Sequence, residues 1–333
     1  MSLVTKTIDS RILGKKMNLA IYRPAVDDTS ALPVLYFFHG RTGNESLLQW
    51  LGMEKIADAM VEVGEIQPLI VVCPNLDNSR GINSSVLYRE VKGKYGVVHK
   101  GRYEDYLLDE LIPFVDNTFH TIRDRSARYI GGISSGGYTA LSIGLRHQGL
   151  FSKIGGHMPA IDLSYADEDE CYFADEKMWL KNDPISIAKQ TVFDDLQVFL
   201  DDGKEDEEQF YRACEKLFQL LRQNGADVQN TCLRGITAET TSELTWKPIS
   251  GFMARVHIPV WQLYVLKPDE DVTGQRRDQS TFMAAADGRL YVQRSLCRRA
   301  KYCPHHQCGA EVSFFVEKTS GGTEGGYLEG LEV

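Results

Sequence analysis

The sequence Gly-Gly-Ile-Ser-Ser-Gly-Gly at residues 131–137 decides the fold of this chain. It follows an apolar segment and precedes a helix-like run at residues 138–145. A Gly-x-Ser-x-Gly pattern between a strand and a helix is typical of a nucleophile elbow, a tight turn that strains the backbone of one serine. Gly132 and Gly136 would let the strand and the helix approach closely. The pattern predicts Ser134 as an exposed nucleophile, and the alternative is a glycine-rich turn without chemistry.

Buried strands and amphipathic helices alternate before this stretch. Residues 33–40 and 69–74 are continuous apolar runs, which are typical of strands buried on both faces of a parallel sheet. Residues 45–63 and 103–119 carry apolar side chains at helical spacing. Between them, residues 75–101 are polar and rich in turn residues, which predicts a long loop near the carboxyl ends of the strands. Alternating segments at residues 4–8 and 17–22 predict an opening hairpin.

The same alternation continues after the elbow. Residues 151–157, 196–200 and 227–233 are predicted strands, and residues 207–224 are a predicted helix. An acidic, aromatic insertion at residues 166–189 forms either a cap over the site or a solvated surface excursion. Strands that alternate with helices predict a doubly wound, mostly parallel α/β sheet with helices on both faces.

Composition limits the classes of function. The chain has 333 residues, of which 43% are hydrophobic and 25% are charged, as in ordinary globular proteins. A net charge of −9 argues against nucleic acid or an anionic membrane as the main partner. The N-terminus does not resemble a signal peptide, and no apolar run reaches membrane-spanning length, so a cytoplasmic location with reduced cysteines is expected.

Four motifs together resemble one family. They are Leu-Tyr-Phe-Phe-His-Gly at residues 35–40 with Gly43-Asn44 following, the stretch at 131–137, Asn-Asp-Pro at 182–184, and Gly203-x-x-Asp206. With these motifs, the first 235 residues resemble the esterase family that includes tributyrin esterase, S-formylglutathione hydrolase and the carbohydrate-ester esterases, and the tributyrin-esterase branch is the most similar. The resemblance implies an α/β-hydrolase fold. It also implies a serine carboxylesterase that acts on short-chain acyl esters through an acyl-serine intermediate, with a small-molecule ester as its partner and no cofactor.

The resemblance also implies roles for individual residues. Ser134 would be the nucleophile and Asp206 the acid of the triad. The backbone amides of Arg41 and Ser135 would form the oxyanion hole. The chemistry agrees with these roles, because a serine needs a base to lose its proton and the base needs a carboxylate to orient it.

Other acids and histidines leave alternatives open. Asp201 and Asp202 are rivals to Asp206, which lies in an acidic run and could be one more surface charge. His39 precedes the oxyanion turn and is expected to be structural. His157 follows the strand after the elbow, where it is a candidate substrate-binding residue or a structural histidine.

The base of the triad is missing from the expected place. The family has Gly-x-His and an aromatic residue on the loop after the last strand, whereas residues 234–241 here contain no histidine. The histidines after Asp206 are His257, His305 and His306, and none follows a strand that would complete the sheet. Without a base, triad catalysis would fall by several orders of magnitude. A catalytically silent hydrolase-fold protein with a binding role is therefore the alternative function.

A change in composition accompanies this departure. Residues 1–230 contain 25 Lys and Arg against 34 Asp and Glu, whereas the later residues contain 12 of each and four of the seven cysteines. A frameshift near residue 231 would explain both observations, because codons read one base earlier allow His at positions 236 and 237. The predicted domains are therefore a hydrolase domain at residues 1–235 and an atypical, poorly packed tail at 236–333. The cysteines and histidines near residue 303 match no standard metal spacing, so no metal is expected.

Overall fold

A computed structural model describes residues 2–26, 30–63, 66–205 and 210–237, together with the short segments 280–284, 290–294 and 314–317. The chain divides into two compact units, residues 1–263 and residues 264–333. The first unit carries the elbow. Asp206, the predicted triad acid, and most of the predicted tail lie outside the described residues.

An eight-stranded sheet forms the centre of the first unit, in the order β1-β2-β4-β3-β7-β8-β9-β10. The first strands form the predicted hairpin, and β2 is antiparallel to β4. Every other neighbouring pair is parallel. The strands are β1 Ser2–Ser10, β2 Lys15–Arg23, β3 Val34–Phe38, β4 Ile70–Pro74, β7 Arg128–Ile133, β8 Lys153–His157, β9 Gln197–Glu205 and β10 Asp227–Thr237. All residues of β3 and β4 are buried, as their apolar sequences predict.

Helices cover both faces of this sheet. One core cluster joins the sheet to the helices that begin at Tyr103, Ser135, Pro184 and Phe210. A second cluster joins the opposite face to the helices between β3 and β4. The helices are α1 Leu47–Trp50, α2 Met53–Glu62, α3 Tyr103–Asp105, α4 Ile112–Thr118, α5 Ser135–Arg146, α6 Glu176–Asn182, α7 Pro184–Gln190 and α8 Phe210–Gln223. The predicted fold class, a doubly wound α/β-hydrolase sheet, is confirmed.

Two local predictions need correction. The helix predicted at residues 45–63 is interrupted before Gly52, whose φ of 62° lies in the left-handed region. The loop predicted at residues 75–101 contains a hairpin of β5 Arg89–Gly93 and β6 Gly96–Lys100. Sequence periodicity missed the hairpin because most of its residues are exposed or half-buried and only Val98 and Lys100 are buried.

The insertion after β8 packs against this hairpin. Tyr172, Phe173 and Trp179 are buried in a third cluster with Ile82, Val98 and Tyr138. Tyr138 lies in the first turn of α5, so the insertion sits beside the elbow rather than extending into solvent. This burial disagrees with the alternative of a solvated surface excursion.

The second unit has its own small sheet. Its described strands are β11 Ser280–Ala284, β12 Leu290–Arg294 and β13 Phe314–Glu317, which pair antiparallel in that order. The prediction that residues 236–333 pack poorly falls mainly on residues outside the described ranges, and it stays a prediction.

Candidate active site

Ser134 occupies the turn between β7 and α5 with a strained backbone. Its φ of 53° and ψ of −117° lie outside the regions that residues with a side chain usually adopt. Such strain persists only where the surrounding structure fixes it. Here the Ser134 N–H donates to the carbonyl oxygen of His157 at 2.8 Å, and the Ser134 carbonyl accepts from the N–H groups of Ala160 and Tyr138 at 3.1 and 3.0 Å.

The two glycines of the motif have no room for a side chain. A Cβ at Gly136 would lie 2.2 Å from the carbonyl oxygen of Phe38 and 2.5 Å from that of His39. A Cβ at Gly132 would lie 2.5 Å from the carbonyl carbon and oxygen of Gly136. The glycines of the motif predicted this close approach of strand and helix, and these distances confirm it.

The turn after β3 lies next to Ser134. A Cβ at Gly40 would lie 3.5 Å from the Cβ of Ser134, which places the predicted oxyanion turn beside the elbow. The Gly43 N–H closes the turn by donating to the Gly40 carbonyl at 3.0 Å. Arg41 belongs to this turn, and Ser135 begins helix α5, whose first N–H groups have no partner within the helix. Both residues predicted to supply the oxyanion hole are therefore on segments that adjoin Ser134.

His39 holds this turn from inside the protein. Its Nε2 accepts the Leu76 N–H at 2.9 Å, so Nδ1 carries the proton and donates to the Gly40 carbonyl at 2.8 Å. Burial lowers the pKa of the His39 ring. A neutral, buried and fully engaged imidazole agrees with the structural role expected from the sequence.

The β5-β6 hairpin reaches the same turn. The Arg41 guanidinium lies over the Tyr95 ring at 4.3 Å, and the Lys94 ammonium lies over the same ring at 4.9 Å. Lys94 also pairs with Glu168 of the insertion at 2.6 Å. The hairpin tip therefore contributes an aromatic ring with cations on it to the rim beside the predicted oxyanion turn.

His157 and Asp201 form a buried pair beneath the elbow. The His157 Nδ1 lies 2.8 Å from Asp201 Oδ2, and the two side chains are 3% and 1% exposed. The His157 ring also contacts the rings of Phe37 and Phe199, with centroids 5.7 and 5.8 Å away. This burial favours the structural alternative for His157 over the candidate substrate-binding role.

The pairing of Asp201 with His157 was not predicted. The sequence did contain a signal for this pairing, because both residues stand near the carboxyl ends of predicted strands that follow each other in the sheet. The register that joins His157 to Asp201 appears only in the folded sheet. Among the described residues, no side chain forms a hydrogen bond with the Ser134 hydroxyl.

Fold and elbow together define the class of the protein. A mostly parallel sheet with a strained serine between its central strand and the following helix, and a second backbone turn beside that serine, is the architecture of an α/β-hydrolase. The chain matches the family described as "Putative esterase" over residues 10–242, and it belongs to that family. The family is one of carboxylic ester hydrolases.

Curated relatives and solved structures agree with this class. The chain is 33% identical over 158 residues to an endo-1,4-beta-xylanase/feruloyl esterase of Xylanibacter ruminicola, covering 45% of this chain and 20% of that protein. It is 26% identical over 214 residues to an S-formylglutathione hydrolase of Bos taurus, covering 60% and 73%. A solved ferulic acid esterase has the same fold with a TM-score of 0.60 at 20% identity, covering 74% and 94%. The chain thus spans only about a fifth of the length of the xylanase/feruloyl esterase.

The length and hydropathy of the helices bear on whether any of them could cross a membrane. Within the described residues, none of the helices is both long and apolar enough to span a bilayer.

Proposed function

We propose that this chain is a serine carboxylesterase that acts on short-chain acyl esters through an acyl-serine intermediate. The observation that carries the proposal is the strained Ser134 backbone next to the Gly40 turn. This geometry presents a hydroxyl at the carboxyl edge of the sheet, and it brings two backbone segments that can donate N–H groups to the same side.

Each of these groups has a separate role in the proposed reaction. The Ser134 oxygen attacks the ester carbonyl, and the backbone N–H groups of Arg41 and Ser135 stabilise the oxyanion that forms. The Ser134 proton passes to the departing alkoxide, which leaves as the alcohol, and water then hydrolyses the acyl-serine, releasing the carboxylic acid and restoring the Ser134 hydroxyl. Asp206 is proposed to orient the base, as the family resemblance implies. The base itself is missing, because residues 234–241 contain no histidine.

The second candidate is a catalytically silent member of the same family that binds a ligand or partner. The absence of a histidine from residues 234–241, where the family places its base, favours it. Without a base, an unactivated hydroxyl leaves only binding and oxyanion stabilisation.

A fluorophosphonate probe and a nitrophenyl acetate assay separate the two candidates. We expect the protein to be labelled and to hydrolyse the ester, and Ser134→Ala to abolish both. Ser164→Ala removes an exposed serine outside the site and is the matched control, because it should leave both signals unchanged. Labelling that survives Ser134→Ala would overturn the nucleophile assignment, and the absence of any Ser134-dependent turnover would favour the silent candidate.

A further inference from the structure

We propose that Asp201 and His157 are positioning residues that orient the peptide between Ser134 and Ser135, and with it the N–H that is proposed to stabilise the oxyanion. This inference rests on the proposed esterase function. The chain of contacts that supports it runs from the Asp201 carboxylate through one left-handed turn to the elbow.

The first contact fixes the carboxylate. A buried carboxylate needs hydrogen-bond donors to offset its loss of water. Asp201 Oδ2 receives one from His157 Nδ1 at 2.8 Å, and Oδ1 receives another from the Met158 N–H at 2.8 Å. The His157 ring is in turn held between Phe37 and Phe199 on one face of the sheet. The carboxylate therefore has a defined position in the middle of β9, opposite the last residue of the neighbouring strand β8.

The second contact fixes a strained turn. Met158 has a φ of 39°, which is in the left-handed region that a residue with a side chain rarely occupies. Its N–H points at Asp201, where both Oδ1 and the backbone oxygen lie within hydrogen-bond distance, at 2.8 and 3.0 Å. The Asp201 side chain thus stabilises the conformation in which the chain turns back over the elbow after β8.

The residues on either side of Met158 then hold Ser134. The His157 carbonyl accepts the Ser134 N–H at 2.8 Å, and the Ala160 N–H donates to the Ser134 carbonyl at 3.1 Å. Because a peptide unit is planar, the Ser134 carbonyl and the Ser135 N–H share one plane and rotate together. A shift of the turn at Met158 would therefore rotate the Ser135 N–H away from the place where the oxyanion forms.

This arrangement predicts an effect on the chemical step rather than on substrate affinity. The Ser135 N–H is proposed to bind the oxyanion of the transition state, so its misplacement should lower kcat and leave KM almost unchanged. A displacement of about 1 Å can cost on the order of 10²-fold in rate. For Asp201→Ala we expect a fall in kcat of about 10- to 100-fold, with KM within about 2-fold of the unmodified chain.

A matched control exists at the far end of helix α5. Glu104 accepts from His147 Nε2 at 2.7 Å and also pairs with Arg146. The Glu104 side chain is 10% exposed and the His147 side chain 31%, so Glu104→Ala removes a histidine–carboxylate contact that is less buried than the one at Asp201, without touching the elbow. If Asp201 only stabilised the fold, both variants would lose activity in the same proportion to their loss of stability.

The experiment combines kinetics with amide exchange. Hydrolysis of nitrophenyl acetate gives kcat and KM, and hydrogen exchange measured by mass spectrometry on peptides covering residues 131–138 reports the elbow without any need for activity. We expect faster exchange and lower kcat in Asp201→Ala than in Glu104→Ala. Asp201→Asn keeps an acceptor for the Met158 N–H and should recover most of the kcat and the slow exchange.

Each outcome decides the inference. Equal kcat and equal exchange in Asp201→Ala and Glu104→Ala would overturn it. If Asp201→Ala does not fold, the comparison of Asp201→Leu with Glu104→Leu replaces it, because Leu is close to Asp in shape but accepts no hydrogen bond. Equal kcat and equal exchange in those two variants would overturn the inference. If the unmodified chain shows no Ser134-dependent turnover, the esterase proposal fails separately, and unchanged elbow exchange in Asp201→Ala would still refute the positioning role.

Discussion

Replacing Gly136 with alanine tests the close approach on which the elbow depends. The new Cβ would lie 2.2 Å from the Phe38 oxygen and 2.5 Å from the His39 oxygen, whereas ordinary contacts begin at 3.4 Å. Both neighbours are backbone atoms of β3 and of the turn after it, so no side chain can rotate away. Helix α5 and β3 must instead separate by about 1 Å.

The size of the effect follows from this displacement. Overpacking a well-packed site typically costs about 1–3 kcal/mol, and a clash with backbone on the partner strand belongs at the upper end, about 3 kcal/mol. At about 2–4 °C per kcal/mol for a domain of this size, Tm should fall by about 6–12 °C. A shift of about 1 Å between Ser134 and the Gly40 turn should also lower kcat/KM on the order of 10²-fold.

Gly155→Ala is the matched control. Gly155 lies in β8 of the same sheet, but the nearest atom to its new Cβ would be the Gly131 Cα at 3.9 Å, which is an ordinary contact. We expect this variant to change stability by less than about 1 kcal/mol. Thermal unfolding and ester hydrolysis of the two variants check the prediction. Equal Tm and equal kcat/KM for Gly136→Ala and Gly155→Ala would refute the reasoning.

Two further predictions concern the oxyanion turn and the missing base. Because burial lowers the His39 pKa, the folded protein binds this proton more weakly than the unfolded chain, so stability is complete above about pH 6.5 and decreases as the pH falls below it. His39→Gln does not titrate and should show a smaller decrease in the urea midpoint between pH 7 and pH 5, and an identical decrease would contradict this prediction. A chain read in the shifted frame from about residue 231, with His at position 237 and its end near residue 254, should hydrolyse esters orders of magnitude faster than the 333-residue chain, because an imidazole after the last strand can serve as the base. Sequencing the coding DNA checks the frame directly, and nucleotides that cannot encode His there would remove the hypothesis.

Local sequence was sufficient for the main architecture. The apolar runs that became β3 and β4 are buried on both faces, as is typical of strands in a mostly parallel sheet covered by helices on both sides. The elbow was equally predictable from the sequence, because Gly132 and Gly136 are required wherever a strand and a helix meet at this distance. These features depend on residues that are neighbours in the chain, so composition and spacing alone predict them.

Tertiary structure decided the contacts between distant segments. The hairpin at Arg89–Gly93 and Gly96–Lys100 has little periodicity of its own, and it is stabilised by burial of Val98 in one hydrophobic cluster with Tyr172 and Phe173 of the insertion. The roles of His157 and Asp201 also depended on the fold. The two residues are 44 positions apart, and only the register of β8 against β9 brings their side chains to 2.8 Å. Spacing along the chain sets which residues are available for a site, but pairing between strands sets which of them meet.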